Sequence, residues 1–385
     1  MKTYKQILDE NKAWAEEVFA KIDGKMKAVT VRSKNLLPID ADKNGMHIGA
    51  KPTYGWTKGF FGGLNHMLYA KTKNPDYLET ARASEKLLDC ALYKNYPALH
   101  HDVGFVWHLT SGANYRLYGD SESKDRNLHA AASLMSRFVL GGNFIRAWNT
   151  EQSYNWTIID TMMNLPLLYW ASDEIGDDRF KRVAMAHADM AMEQHVRPDG
   201  SVVHIAEHDR ETGVVLSTHC GQGCAVGSSW SRGQAWALYG FVISYLHTGE
   251  ERYLNTAKLV ANYFISACCD DWKPRVDFRA PVEPVMYDSS AGLIASCGLI
   301  ELAKALPENE GGMYMNAAVN FLRAVDESFA DYNPENDTLV THGTVRYPVE
   351  SFTTDDAKVH SYLPYGDFYY TEAILKIIGE EFNPW

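Results

Sequence analysis

The sequence predicts an all-α fold, an (α/α)6 barrel of six inner and six outer helices. Three observations predict it. Six segments are apolar almost all round, as helices buried on every side are. Most are followed by a short turn and a helix with a single apolar stripe. The unit recurs roughly every 45 to 80 residues along a chain of 385, the mark of a helical hairpin that buries its faces only against its neighbours.

Each element follows in order. A helix near residues 4–21 supplies the outer partner that the last inner helix lacks. The first inner segment begins near Thr57 ("TKGFFGGLNHMLYAKT"). After it, "NPDYLETARASEKLLDCAL" sets Leu78, Ala81, Leu88 and Leu92 on one stripe. The second opens at Asp102 in "HHDVGFVWHLTSG" and is followed by "GDSESKDRNLHAAASLM". The third begins near Ile158 ("IIDTMMNLPLLYWAS"), with "IGDDRFKRVAMAHADMAM" behind it. The fourth begins near Gly233 ("GQAWALYGFVISYLH"), and its partner "GEERYLNTAKLVANYFI" aligns Leu254, Ala257 and Ala261. The fifth and sixth begin near Ser289 ("SSAGLIASCGLIELAKAL") and Gly366 ("GDFYYTEAILKIIG"). Strand-like pieces occur only in the longer connections, as in "SVVHIAEH" and "GVVLSTH". No Pro/Gly/Ser-rich linker divides the chain, so residues 1–385 are expected to form one domain.

Composition narrows the function. A net charge of −12 argues against a nucleic-acid partner, which requires a basic footprint. The aromatic content of 12%, with 22 Tyr and 10 Trp, is high; core packing accounts for most of it, and the surplus suits a pocket in which sugars stack. No run approaches the roughly eighteen apolar residues of a membrane span. The charged start "MKTYKQILDENKAWAEEVF" is unlike a signal peptide. Six scattered cysteines do not make a disulfide framework, so a cytoplasmic protein with reduced thiols is expected.

In such a barrel the loops entering the inner helices gather at one end. Trp56 precedes the first inner helix, Asp102 opens the second, and Asp160 lies in the first turn of the third. Arg232 and Trp236 bracket the start of the fourth, Asp288 precedes the fifth, and Asp367 opens the sixth. Any one aspartate at a helix start is explained as a cap that also answers the macrodipole. Four at one mouth, among tryptophans, point to a site. Asp102 is the most telling, because a carboxylate beside Phe105 and Trp107 is costly to bury unless paired, hydrogen-bonded or protonated.

The strings "HHDVGF" (100–105), "AWN" (147–149), "IIDTMMNLPLLYWAS" (158–172), "SWSRGQAWALYGF" (229–241), "DSSAGLIASCGLIEL" (288–302) and "GDFYYTEAIL" (366–375) resemble glycoside hydrolase family 88, the unsaturated glucuronyl hydrolases. The related unsaturated rhamnogalacturonyl hydrolases share the fold but fit "HDVGF" less well. The resemblance implies an oligosaccharide substrate with a 4,5-unsaturated uronic acid at its non-reducing end, and no cofactor. An aspartic acid protonates C4 of the enol ether, water adds at C5, and the hemiketal collapses to release the next sugar. By motif match Asp160 is the proton donor and Asp102 its partner. The residues agree: Ile158, Ile159, Met162 and Met163 would desolvate Asp160, and two nearby carboxylates separate into acid and base. The resemblance also implies substrate-binding roles for Trp56, Phe105, Trp148, His204, Gln222, Arg232 and Trp236. The aromatics would stack on sugar rings, and His204 and Gln222 would bond hydroxyls or orient water. Arg232 would clamp the uronate carboxylate or, alternatively, pair with Asp288. His100 and His101 read as polar neighbours.

The chain departs from the family pattern at "LPYGD" (363–367) and in the loop 347–365, where Ser351 and Lys358 would bind a sulphate or simply be solvated. A rival reading makes His204, His208, His219, Cys220 and Cys224 a metal site, although their spacing matches no zinc signature well. Another is an inactive sugar-binding barrel, against which both aspartates stand. No metal is expected, and the chain is expected to be a monomer or weak homo-oligomer.

Overall fold

The computed structural model describes residues 2–94, 96–349 and 357–385. The chain opens with α1 (Tyr4–Ser33), started by a capping box between Thr3 and Gln6 and longer than expected because Met26, Val29 and Thr30 continue its buried stripe. A hairpin of β1 (Pro38–Ala41) and β2 (His47–Gly49) and a 3-10 turn, Trp56–Gly59, lead into α2 (Phe60–Thr72) and α3 (Pro75–Lys94). The second inner helix is α4 (Val103–Trp107) and α5 (Ala113–Tyr118), joined by a π turn at His108–Gly112; α6 (Ser121–Met135) is its outer partner.

The third inner segment differs from expectation at its start. β3 (Phe138–Val139) and β4 (Phe144–Ile145) precede it, then β5 (Trp156–Ile158) and a 3-10 helix at Ile159–Asn164. Only at Pro166 does α7 (Pro166–Ile175) begin. Proline has no N–H to give an upstream carbonyl, so it suits the first helical turn and not the interior. α8 (Arg179–Gln194) packs behind it.

β6 (Ile205–His208) and β7 (Val215–His219) pair with β5 in an antiparallel sheet of order β5-β6-β7. The strand-like pieces seen in the sequence are thus one small sheet. The chain continues through α9 (Ser231–Thr248), α10 (Glu251–Cys268), α11 (Ser289–Ala305), α12 (Glu308–Ser328) and α13 (Pro364–Ile378).

The expected barrel is what these elements build. Inner elements contact in a closed ring, from α2 through the α4–α5 segment, the Ile159–Asn164 turn, α9, α11 and α13 back to α2. α1 covers α13 and touches α3 and α12, closing the outer ring. Burial follows position: all 15 residues of α13 are buried, whereas α10 buries one stripe from Tyr253 to Cys268. A Cβ on Gly59 would stand 2.2 Å from the Phe105 carbonyl oxygen, so glycine lets the first two inner segments meet backbone to backbone. Trp385 plugs the barrel from inside, stacked on Tyr369 and donating its Nε1–H to Glu372.

Candidate active site

Asp102 is the N-cap residue of α4 and is 6% exposed. Its side chain makes no cap bond to its own helix and is held from elsewhere. Asn164 Nδ2 donates to Asp102 Oδ1 at 3.1 Å and to the Asp160 carbonyl at 3.2 Å, while Asn164 Oδ1 accepts the Phe105 N–H. One amide therefore ties the two aspartate segments together. On the other side, His101 Nε2 lies 3.1 Å from Asp102 Oδ2, and His101 Nδ1 lies 3.0 Å from the Ala147 carbonyl.

Burial works against charge on His101. The negative charge of Asp102, its hydrogen bond and Asp160 outweigh that, so the imidazole is held above its ordinary range. Its two nitrogens face the Ala147 carbonyl and the Asp102 carboxylate. His101 is thus a polar neighbour in direct contact with Asp102. His100 behaves differently: burial, and then the adjacent His101 charge, push it down to about 3. Its Nδ1 lies 3.3 Å from the Tyr54 hydroxyl.

Asp160 is brought to its partner by sheet register. Ile158 pairs with Ile205, and Ile205 with His219, so the residues just beyond the strand ends converge. His204 Nε2 lies 3.3 Å from Asp160 Oδ2. His204 Nδ1 lies 3.1 Å from the Gln222 backbone N–H and 3.3 Å from the Cys220 carbonyl, so the turn after β7 holds the ring with Nε2 facing Asp160. Gly221 makes this turn possible. Its φ is +59, and a Cβ would stand 2.2 Å from His204 Nδ1.

Arg232 differs from the free clamp expected of it. It is fully buried; Nη1 donates to Asp288 and, at 2.8 Å, to the Thr344 carbonyl, and Nη2 donates to the Val345 carbonyl at 2.7 Å. Its guanidinium also packs 4.5 Å from the Trp230 ring. The structure thus shows the alternative, an ion pair with Asp288, because an arginine in the first turn of an inner helix points toward the next inner helix. The Gln222 side chain donates to the same Val345 carbonyl. The four aspartates divide. Asp102 and Asp160 stand at the mouth, Asp288 serves Arg232, and Asp367 accepts the backbone N–H of Val340 at 2.8 Å.

The aromatics divide likewise. Trp56 and Trp148 are partly exposed and keep faces able to stack on a sugar. Phe105 and Trp236 have no exposed surface and pack on each other with ring centroids 5.1 Å apart. They form a floor beneath Trp56, because residues past the first helical turn face the barrel core.

The five residues of the metal reading do not gather. His208 is buried and bonded through Nε2 to Thr157, and His219 stacks on Trp156. Among the described residues the group with metal-ligand spacing is His100, His101 and Asp102. Lys358 donates to Asp40, and Ser351 lies outside the described residues. Asn164, His101 and Tyr54 are the site residues that the sequence reading missed. Asn164 stands four residues after Asp160, a spacing that returns a side chain to the earlier carbonyl, so its signal was present. Tyr54 had none.

The model of Glycosyl Hydrolase Family 88 matches residues 31–351. The chain is 34% identical to the unsaturated glucuronyl hydrolase of Bacillus sp. (strain GL1), over 84% of this chain and 86% of that protein. It is 30% identical to the unsaturated chondroitin disaccharide hydrolase of Streptococcus pneumoniae, over 83% of this chain and 81% of that protein. The crystal structure of the Bacillus enzyme, described as responsible for the degradation of glycosaminoglycan, superposes with a TM-score of 0.88 at 31% identity, covering 94% of this chain and 96% of that one. A mutant unsaturated glucuronyl hydrolase from Streptococcus agalactiae, complexed with dGlcA-GalNAc6S, superposes with a TM-score of 0.82 at 27% identity, covering 96% and 94%. A closed helical barrel with two aspartates joined at its mouth, matched over most of its length by these enzymes, belongs to glycoside hydrolase family 88.

Proposed function

We propose that this enzyme removes a 4,5-unsaturated uronic acid from the non-reducing end of lyase-generated, glycosaminoglycan-type oligosaccharides. The observation that carries the reading is the joining of Asp160 and Asp102 through Asn164, with His204 facing one carboxylate and His101 the other. Asp160 delivers its proton to C4, and the positive charge that develops at C5 is shared with the ring oxygen. Water adds at C5, losing its proton to the Asp160 carboxylate. The resulting hemiketal opens to a ketone, C1 becomes a hemiacetal, and its collapse releases the next sugar. His204 stands against Asp160 and His101 against Asp102, so the two carboxylates work side by side. Trp56 and Trp148 take the sugar faces. Arg232 acts by holding Thr344 and Val345, and with them the Gln222 side chain, at the mouth.

The enzyme works as a monomer or weak homo-oligomer in the cytoplasm, a placement supported by its free cysteines. No helix among the described residues is long and apolar enough to cross a membrane. The test is the loss of 4,5-double-bond absorbance across lyase-generated disaccharides beside their saturated counterparts. Consumption of the unsaturated set alone, with solvent deuterium at C4 of the product, is expected; equal rates on both would sink the hydration route.

A further inference from the structure

The arginines that flank "AWN" have no part in the catalytic site, yet the fold brings them together. Arg137 follows α6 and is buried, and its bonds all go to neutral groups. Nε donates to the Arg146 carbonyl at 3.1 Å, Nη1 to the Leu99 carbonyl at 2.9 Å and to Asn149 Oδ1 at 2.8 Å, and Nη2 to the Ala147 carbonyl at 3.0 Å. Arg146 has a buried Nε with no hydrogen-bond partner, and its guanidinium lies 5.2 Å from the Tyr154 ring centroid. Arg210 lies 5.9 Å from the same ring.

Between them is a cavity of about 300 Å³ lined by Arg137, Arg146, Tyr96, Tyr154, Ser133 and Ser136; among the described residues no carboxylate lines it. It adjoins a second cavity of about 440 Å³ that shares Ser136, Arg137 and Arg146 and adds Arg210, with Glu211 as its one carboxylate. Arg137 and Arg146 are a like-charged pair: burial, and then the charge of Arg146, push Arg137 down to about 10, with Asp102 pulling weakly the other way. In a chain of net charge −12 such a pair is out of place unless an anion completes it.

We propose that this cleft is a second, non-catalytic oxyanion site, which takes a sulphate-class group either free or carried on an acidic sugar. Guanidinium groups match the geometry of such an oxyanion, Ser133 adds a hydroxyl, and the exposed Tyr96 offers a face to a pyranose ring. The cleft backs onto the catalytic mouth through one shared carbonyl. The Ala147 carbonyl accepts from Arg137 Nη2 on one side and lies 3.0 Å from His101 Nδ1 on the other. Trp148, one residue on, belongs to the sugar mouth.

Titration calorimetry tests this without turnover, so it stands apart from the hydration reading. The probes are inorganic sulphate, inorganic phosphate, and a saturated disaccharide in sulphated and unsulphated forms. Wild type is expected to bind sulphate, with affinity falling about tenfold or more in Arg146→Gln and partly recovering in Arg146→Lys. Arg210→Gln, at an exposed position, should weaken it less. Turnover of an unsaturated disaccharide by Arg146→Gln, within about twofold of wild type, shows that the variant is folded. A sulphated disaccharide that binds more tightly than inorganic sulphate, with the same Arg146 dependence, identifies a sugar-borne ligand; equal affinities identify a free oxyanion. No sulphate binding by wild type, or binding that Arg146→Gln leaves unchanged, overturns the proposal.

Discussion

Asp102 and Asp160 are the same residue type at two helix starts, held by different neighbours. Asp102 accepts from Asn164 and faces His101, whereas Asp160 faces His204. Replacing Asp160 by Asn keeps the shape and removes the titratable proton. Turnover is expected to fall by about a hundredfold or more with the melting temperature little changed. A folded Asp160→Asn variant with near-normal turnover would move the acid elsewhere, with Asp102 the first suspect. His101 offers a second check. Its folded pKa is raised, so the stability of its pair with Asp102 is present in full below its unfolded value of about 6.5 and is lost as pH rises through the folded value. An NMR titration of the His101 ring should show a midpoint above that of a free histidine, and activity should decline on the alkaline side. A midpoint below about 6.5 would remove the ion pair.

At the scale of elements, the Arg232–Asp288 pair ties α9 to α11 and to the connection at 344–345. That connection places the Gln222 side chain. Removing one member of a fully buried ion pair leaves the other charge unpaired, at a cost of about 3–5 kcal/mol. Arg232→Gln should therefore lower the denaturant midpoint and weaken substrate binding together. Weakened binding at wild-type stability would restore the free-clamp reading. The small sheet is as consequential as any helix. Its register sets His204 against Asp160, and the turn at Gly221 holds the His204 ring at Nδ1. A register slip of one residue would turn these side chains to the other face.

Across the whole molecule, the barrel holds an unusual number of neutral histidines away from solvent. Burial is the main cause in each case, pushing His47, His195 and His247 down to about 4 and His66 and His100 down to about 3. These groups bind protons in the unfolded chain before they do in the fold. The stability they contribute is present above about pH 6.5 and is lost as pH falls through their folded values. Melting temperature measured against pH should drop steadily below about 6.5, with several protons taken up on unfolding. A melting temperature flat from pH 7 to pH 4 would contradict it.

The barrel was legible because burial on all sides versus one side is written directly into hydrophobic period, and six alternations of the two leave few other architectures. Both mouth aspartates were legible too, as carboxylates placed where apolar sequence makes a carboxylate expensive. Asn164 was within reach, four residues from Asp160. What periodicity could not decide was which polar groups would meet across long separations. Arg232 and Asp288 lie 56 positions apart, and Asn164 and Asp102 lie 62 apart. Whether Phe105 and Trp236 face sugar or one another depends on how far each helix start sits below the rim. Those distances come from the packing of the two rings of helices and the register of the sheet, so the tertiary structure alone assigned Arg232 to Asp288, set His101 against Asp102, and turned His204 toward Asp160.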